Sequence, residues 1–216
     1  MHQRPLYMEE LLSAPLASSP VVNIAESDLC CCIYTSGSTG QPKGVLIEHG
    51  NLSNFVYPSP KNRGANGITQ RGTSLLALAQ FTFDVSVMEM YLALTAGLKL
   101  VLALDRDILN PDRLRELMLD ERVDAICCTP AYLSTLIAIP SMREALAGIK
   151  TYDFGAEAFP GRLYDQIIAL NPDAYVMNGY GPTEVTISCT MKVIESSEGV
   201  TIGTPNAQRQ RLRICR

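Results

Sequence analysis

Short apolar runs alternate with longer amphipathic stretches along most of this chain. Six runs have the length of buried strands, at residues 30–34, 75–79, 98–104, 125–128, 149–154 and 175–178. Continuous apolar runs of this kind are typical of strands that are covered on both faces. The segments between most of them are long enough for crossover helices. The pattern predicts an α/β fold, with a largely parallel sheet and helices on both faces.

Helix signals support this architecture. Asn110 is suited to cap a helix that has Pro111 in its first turn, and the leucines and the methionine that follow share one face. Two more helices are predicted over residues 86–96 and 161–170. Residues 56–72, which contain two prolines, three glycines and two asparagines, are predicted to form a long surface loop.

Composition narrows the class of protein. The 216 residues are 47% hydrophobic and carry a formal net charge of −4, which predicts one acidic domain with no nucleic-acid partner. No apolar run approaches the length of a membrane span or of a signal-peptide core. The seven cysteines form no CxxC pair and no zinc-like cluster, so we expect reduced thiols and a cytoplasmic location.

A glycine- and hydroxyl-rich loop follows the first predicted strand. Its glycines allow the backbone to approach a ligand closely, while its hydroxyls and one lysine offer donors to phosphate oxygens. Because glycine follows the lysine, the loop is not a Walker A loop. An ordinary turn between two strands would account for the composition equally well. The residues concerned are Thr35, Ser36, Gly37, Ser38, Thr39, Gly40 and Lys43.

Two further segments carry candidate chemistry. Residues 178–184 offer an aromatic face for a purine, a Gly-Pro turn that presents Thr183, and Glu184, a carboxylate suited to Mg²⁺ beside a phosphate. A solvated turn is the alternative. Asp84 lies at the entrance of the helix predicted over 86–96, where a carboxylate is ordinarily a cap or a favourable charge near the helix dipole.

The three segments, in this order and spacing, resemble the adenylate-forming superfamily, and in particular the adenylation domains of nonribosomal peptide synthetases. The resemblance implies that Lys43, Thr183 and Glu184 are catalytic, that Tyr180 stacks on adenine, and that Glu184 holds Mg²⁺. It implies that Asp84 pairs with the α-ammonium of an amino acid. The remaining implied nucleotide contacts are Gly155, Ala156, Glu157, Asn178 and Gly181, with alanine at 156 where the family more often has glycine.

Counting from these segments gives a predicted substrate pocket. Met88, Cys127 and Phe154 could each instead be an ordinary core residue. Two aromatic rings, a methionine and the lack of a second visible charge favour a small or medium apolar amino acid. The predicted lining is Asp84, Val85, Met88, Cys127, Tyr152, Phe154, Gly179, Ile187 and Ser188.

The resemblance divides the chain into a lead-in over residues 1–27, a partial AMP-binding domain over 28–205 and an atypical basic tail over 206–216. It implies ATP and Mg²⁺ as cofactors and the phosphopantetheine thiol of a carrier protein as the acceptor. It also implies a C-terminal subdomain, whose motifs are missing here, so we expect weak ATP binding and little turnover. The abrupt basic ending suggests a frameshift, a fragmentary gene model or a split gene. The alternatives are a non-catalytic nucleotide-binding remnant, a partner-binding pseudo-enzyme, or an activator of other carboxylates such as an acyl-CoA synthetase.

Overall fold

Strands from two sheets form the framework of the protein. The computed structural model describes residues 21–36, 40–60 and 62–206. The strands are β1 (Leu29–Thr35), β2 (Lys43–Glu48), β3 (Ser74–Ala77), β4 (Lys99–Leu102), β5 (Ala125–Cys128), β6 (Thr151–Phe154), β7 (Tyr175–Tyr180), β8 (Thr190–Ile194) and β9 (Thr204–Pro205).

The larger sheet has seven strands in the spatial order β4-β3-β5-β6-β7-β8-β9. The pairs from β4 to β7 are parallel, whereas β8 and β9 are added antiparallel at one edge. The predicted, largely parallel sheet is therefore confirmed, and β8 and β9 are additions that the apolar pattern did not indicate.

The first strand does not belong to this sheet. β1 and β2 form a separate antiparallel hairpin, with Thr35 opposite Lys43. The expectation that the first apolar run joins the main sheet is wrong. Two strands joined by a short loop can pair directly, and they need no crossover helix.

Helices cover both faces of the larger sheet, as predicted. The helices are α1 (His49–Val56), α2 (Arg63–Arg71), α3 (Asp84–Ala96), α4 (Asp105–Ile108), α5 (Pro111–Asp120), α6 (Pro130–Ile137), α7 (Arg143–Ala147) and α8 (Gly161–Leu170). Apolar side chains of α1, α2 and α3 form one core, and those of α5 to α8 form the other. We call these the α3-side core and the α8-side core. None of the helices among the described residues has the length and apolar surface that a membrane-spanning segment requires.

Two of the three predicted helices agree closely with the structure. Asn110 caps α5 by accepting hydrogen bonds from the amides of Asp112 and Arg113, and α8 has the predicted bounds. Helix α3 begins two residues earlier than expected, so that Asp84 is its first residue. This placement directs the first turn of α3 toward the site described below.

The predicted loop over residues 56–72 contains α2, so that prediction is wrong. Asn62 caps this helix by accepting a hydrogen bond from the Ala65 amide at 3.3 Å. Gly67 allows α2 to pack closely against β7, because a Cβ at this position would lie 2.7 Å from both Met177 Sδ and Tyr175 Cε1. Glycines that look like loop residues in the sequence therefore allow a helix to lie against the sheet.

A buried carboxylate joins strands at the end of the sheet opposite the predicted motifs. Asp124 accepts hydrogen bonds from the amides of Thr73 and Ser74 at 2.8 and 2.9 Å, and from Lys150 Nζ at 3.0 Å. Burial acts to raise the pKa of Asp124, but these donors hold it below its usual value. This group is structural, and it shows how a buried charge is normally satisfied in this fold.

Candidate functional site

A cavity of about 330 Å³ opens at the carboxyl ends of the central parallel strands. Its rim is formed by the residues that directly follow β5, β6 and β7, which is where α/β sheets bind ligands. These rim residues are Thr129, Gly155, Ala156, Gly181, Pro182 and Thr183. The cavity continues beneath the rim along the α3-side core, where Met88 and Cys127 form part of its wall.

The segment after β7 folds tightly over one side of the cavity. Thr183 opens a 3₁₀ turn over Thr183–Val185, and the backbone at Thr186 and Ile187 has positive φ values of 64° and 70°. Such values are strained for β-branched residues. Strain of this kind is held in place by surrounding structure and is frequent at binding sites.

Asp84 lies at the inner side of the same turn. Only 3% of this residue is exposed, and its carboxylate is hydrogen-bonded by the Thr183 side chain and the Val85 amide. Burial raises the pKa of Asp84, and the nearby Glu184 charge adds to the increase, although hydrogen bonds from the Thr183 side chain and from the amides of Val85 and Asp84 oppose it. The structure therefore brings the second and third sequence motifs together at one end of the cavity.

The glycine- and hydroxyl-rich loop connects β1 to β2. Lys43 begins β2 and is exposed, and β2 packs against the 3₁₀ turn that carries Thr183 and Glu184. Thr35 ends β1, and Ser36 and Gly40 are exposed. Gly37, Ser38 and Thr39 lie outside the described residues. The base of the loop is thus placed next to the 178–184 segment.

Eight of the nine predicted pocket residues border the cavity. They come from α3, β5, β6, β7 and the loop before β8, which only the fold brings together. They are Asp84, Val85, Met88, Cys127, Phe154, Gly179, Ile187 and Ser188.

Tyr152, the ninth predicted pocket residue, does not border the cavity. Its ring stacks on that of Phe154 at a centroid distance of 6.0 Å, and its hydroxyl donates to Leu146 O at 2.9 Å in the α8-side core. The Phe154 ring also packs on Phe159 at 5.0 Å, so both rings belong to that core. Alternate residues of a strand point to opposite faces, and the face toward the α3-side core belongs to Asp153. Sequence reasoning missed Asp153, and an aspartate inside an apolar strand was the signal that could have revealed it.

The remaining predicted nucleotide contacts lie around the rim in different environments. Tyr180 is 53% exposed at the end of β7. Asn178 is buried and donates to Thr201 O at 3.2 Å, but its side-chain oxygen has no hydrogen-bond partner. Glu157 is outside the cavity wall, where it accepts a hydrogen bond from the Ala131 amide at the start of α6. In the described part of the chain, no three His, Cys, Asp or Glu side chains cluster to hold a metal ion by themselves.

Comparison with known proteins agrees with this geometry. The model of the AMP-binding enzyme family matches residues 2–215. This chain belongs to the AMP-binding enzyme family. The predicted resemblance to peptide synthetase adenylation domains is confirmed by the relatives and the solved structure that follow.

Relatives of this AMP-binding chain include much larger proteins. The hybrid PKS-NRPS synthetase TAS1 of Pyricularia oryzae is 34% identical over 192 residues, which are 86% of this chain and 10% of that protein. The D-alanine–D-alanyl carrier protein ligase of Staphylococcus haemolyticus is 33% identical over 184 residues, or 82% of this chain and 37% of that protein. The crystal structure of the nonribosomal peptide synthetase FmoA3 in its AMPPNP-bound form matches 93% of this chain and 21% of its own, with a TM-score of 0.77 and 26% identity. This AMP-binding chain thus spans well under half of the length of each of these proteins.

Alanine at position 156, where the family more often has glycine, has a measurable consequence in this AMP-binding chain. Ala156 has φ = 67°, a left-handed conformation that glycine adopts without steric cost. We expect Ala156→Gly to raise the free energy of unfolding by about 0.5–1 kcal/mol, as measured by urea denaturation. Ala147, at the end of α7, is the matched control, because Ala147→Gly is expected to lower the free energy of unfolding by about 0.5–1 kcal/mol. Equal destabilisation by both substitutions would contradict the argument.

Proposed function

We propose that this chain binds ATP and an amino acid and supports formation of an aminoacyl-adenylate. In this reaction an oxygen of the amino-acid carboxylate attacks the α-phosphorus of ATP, and the bond to pyrophosphate breaks. The observation that carries the proposal is the single cavity in which Asp84 and Thr183 lie together, with the rim loops around them. An amino acid and the α-phosphate could therefore meet at Thr183.

The nucleotide is proposed to bind along the rim. Tyr180 offers an aromatic face to the adenine ring, and the unpartnered side-chain oxygen of Asn178 is an acceptor suited to the exocyclic amine. Thr183 is proposed to contact the α-phosphate. Lys43 and the loop before it are proposed to hold the β- and γ-phosphates, where a cation and backbone amides stabilise the charge of the transferring group. Gly155, Ala156 and Gly181 permit close approach of the nucleotide, and Glu157 is proposed to support this rim through α6.

Glu184 fits the role of a magnesium ligand. It is exposed beside Thr183, and proteins usually hold Mg²⁺ with one or two carboxylates together with substrate phosphates. Bound Mg²⁺ would offset phosphate charge during the displacement. The absence of a ready three-residue cluster among the described residues is compatible with this arrangement, because the phosphates supply the other ligands.

Asp84 is proposed to pair with the α-ammonium of the amino acid. A carboxylate that is 3% exposed is costly to ionise unless a cation accompanies it, and a substrate ammonium provides that cation. This argument favours an amino acid over a simple acyl substrate, which would leave Asp84 without a charged partner. Transfer of the aminoacyl group to a carrier-protein thiol, and completion of the site by a C-terminal subdomain, extend the same proposal.

Calorimetry with Mg·ATP tests the nucleotide part of the proposal. We expect the chain to bind Mg·ATP, and we expect Lys43→Ala and Glu184→Ala each to weaken binding by about 10-fold or more, because each removes a charge from the phosphate site. Lys99→Ala and Glu144→Ala are matched controls, since both side chains are exposed and away from the cavity. A folded chain that binds no Mg·ATP would overturn the proposal and leave a non-catalytic remnant.

A further inference from the structure

Asp153 is a buried carboxylate in the wall of the cavity. It lies in the middle of β6, is 8% exposed, and borders the cavity below its rim. Within the described ranges, no side chain or backbone group forms a hydrogen bond or an ion pair with its carboxylate. Burial raises the pKa of Asp153 to about 7, which agrees with the lack of a partner.

The other buried acidic side chains outside the cavity wall are satisfied by the protein itself. Asp124 binds two amides and a lysine, Asp107 binds Arg113 Nε at 3.1 Å, and Glu89 binds two amides. A buried carboxylate without donors costs free energy that folding alone does not recover. Among the buried carboxylates of the described residues, Asp153 is therefore an exception, and it borders the cavity.

Asp153 and Asp84 occupy different parts of the cavity. Asp84 is hydrogen-bonded by Thr183 near the proposed α-phosphate site. Asp153 lies beside α2, where a Cβ added to Gly64 would be 3.8 Å from Asp153 Oδ2 and 2.9 Å from Met191 Cε. On the adjacent strands its register neighbours are Cys127 and Met177. The two carboxylates thus have separate surroundings, and those of Asp153 are mostly apolar.

We propose that Asp153 is a specificity-determining residue that pairs with a second cationic group, on the side chain of the amino acid, so that the cavity selects a diamino acid. The inference rests on the proposed function, in which Asp84 binds the α-ammonium. A side-chain ammonium would supply the charged partner that Asp153 lacks, and the apolar wall would contact the methylene groups between the two cations. The expectation of an apolar amino acid relied in part on the lack of a second charge, and Asp153 supplies a second carboxylate in the cavity wall.

Non-hydrolysable aminoacyl-adenylate mimics provide the test. The sulfamoyl-adenosine derivatives of ornithine, lysine and norleucine are titrated into the full chain, and dissociation constants are measured by calorimetry. We expect the better of the two diamino derivatives to bind at least 10-fold more tightly than the norleucine derivative, because only the diamino side chains carry the second cation. We expect Asp153→Asn to reduce this preference to less than 3-fold and to leave Mg·ATP affinity unchanged. Asp165→Asn, at an exposed site on α8, is the control and should keep the preference.

The outcomes distinguish this inference from the proposed function. Equal binding of the three derivatives to the unaltered chain would overturn the role of Asp153 while leaving adenylate binding in place. An undiminished preference in Asp153→Asn would also overturn it. If the folded chain bound none of the derivatives and no Mg·ATP, the proposed function would fail, and the inference would fail with it. The comparison within the unaltered chain does not depend on any variant folding.

Discussion

Gly181→Ala is expected to abolish measurable Mg·ATP binding and to lower the free energy of unfolding by about 2 kcal/mol or more. Gly181 follows β7 directly and borders the cavity. A Cβ at this position would lie 2.5 Å from Ser188 Cα, 2.8 Å from Cys189 N and 2.9 Å from Ile187 O. All three are backbone atoms, which cannot move aside as the end of a flexible side chain can.

The strain would reach the proposed binding residues on both sides of the glycine. Tyr180 precedes it, and Thr183 follows within the 3₁₀ turn. Urea denaturation and Mg·ATP calorimetry measure the two effects. Gly148→Ala is the matched control, because the nearest atom to an added Cβ there is Ala145 O at 3.4 Å. Normal nucleotide affinity in Gly181→Ala would contradict the tight fold of this loop.

Much of the site is predictable from local motifs in the sequence. The segment 178–184, the glycine- and hydroxyl-rich loop and Asp84 each carry their signal within a few adjacent residues, because turns, helix entrances and phosphate loops have local residue requirements. The parallel sheet was also predictable, since runs that are apolar throughout indicate strands covered on both faces.

The direction in which each strand residue points was not predictable in the same way. In β6 both faces are buried, so the apolar pattern does not distinguish Tyr152 and Phe154 from Thr151 and Asp153. A shift of one residue exchanges the two faces. Only the pairing of Asp153 with Cys127 and Met177, both in the α3-side core, shows which side chains reach the cavity.

Helix α2 was missed for a related reason. Its glycines and its low apolar content are typical of a loop, but its stability depends on contacts that are distant in sequence. Arg63 donates to Thr204 Oγ1 at 2.9 Å, and Arg71 lies 3.9 Å above the centre of the Tyr175 ring. Tertiary contacts of this kind override local propensity, and no local pattern encodes them.

Glu89→Ala is expected to lower the free energy of unfolding by about 2–5 kcal/mol and to weaken amino-acid binding. Glu89 is fully buried on α3, and its carboxylate accepts hydrogen bonds at 3.2 Å from the amides of Leu78 and Ala79, which border the cavity after β3. Without the Glu89 carboxylate, the amides of Leu78 and Ala79 have no acceptor. The contact between this segment and α3, the helix that begins at Asp84, is then weakened. Glu116→Ala, on the exposed face of α5, is the control and should cost less than about 0.5 kcal/mol.

The pH dependence of the free energy of unfolding distinguishes the effect of ionising Glu89 from the effect of its side-chain packing. Burial raises the pKa of Glu89 from 4.5 to about 7, although the two amides oppose the increase. Because the folded protein holds this proton more tightly than the unfolded chain, the stabilisation from protonation is complete below pH 4.5 and is lost as the pH rises through 7. The raised pKa of Asp153 likewise makes the folded protein less stable as the pH rises through 7. The pKa values of Asp107 and Asp124 are lowered, so their contributions to stability are lost only in more acidic solution.

Urea denaturation at pH 5 and pH 8 should therefore show the unaltered chain less stable at pH 8. Glu89→Gln should remove a part of that difference on the order of 2–3 kcal/mol, because glutamine does not titrate. Asp153→Asn should remove a similar part, and the double variant should remove both, since the two carboxylates share no hydrogen-bond partner among the described residues. A Glu89→Gln profile parallel to that of the unaltered chain would mean that Glu89 stays ionised throughout this range. Its two amide donors would then outweigh its burial, and Glu89 would hold the β3 end against α3 as a permanent anion.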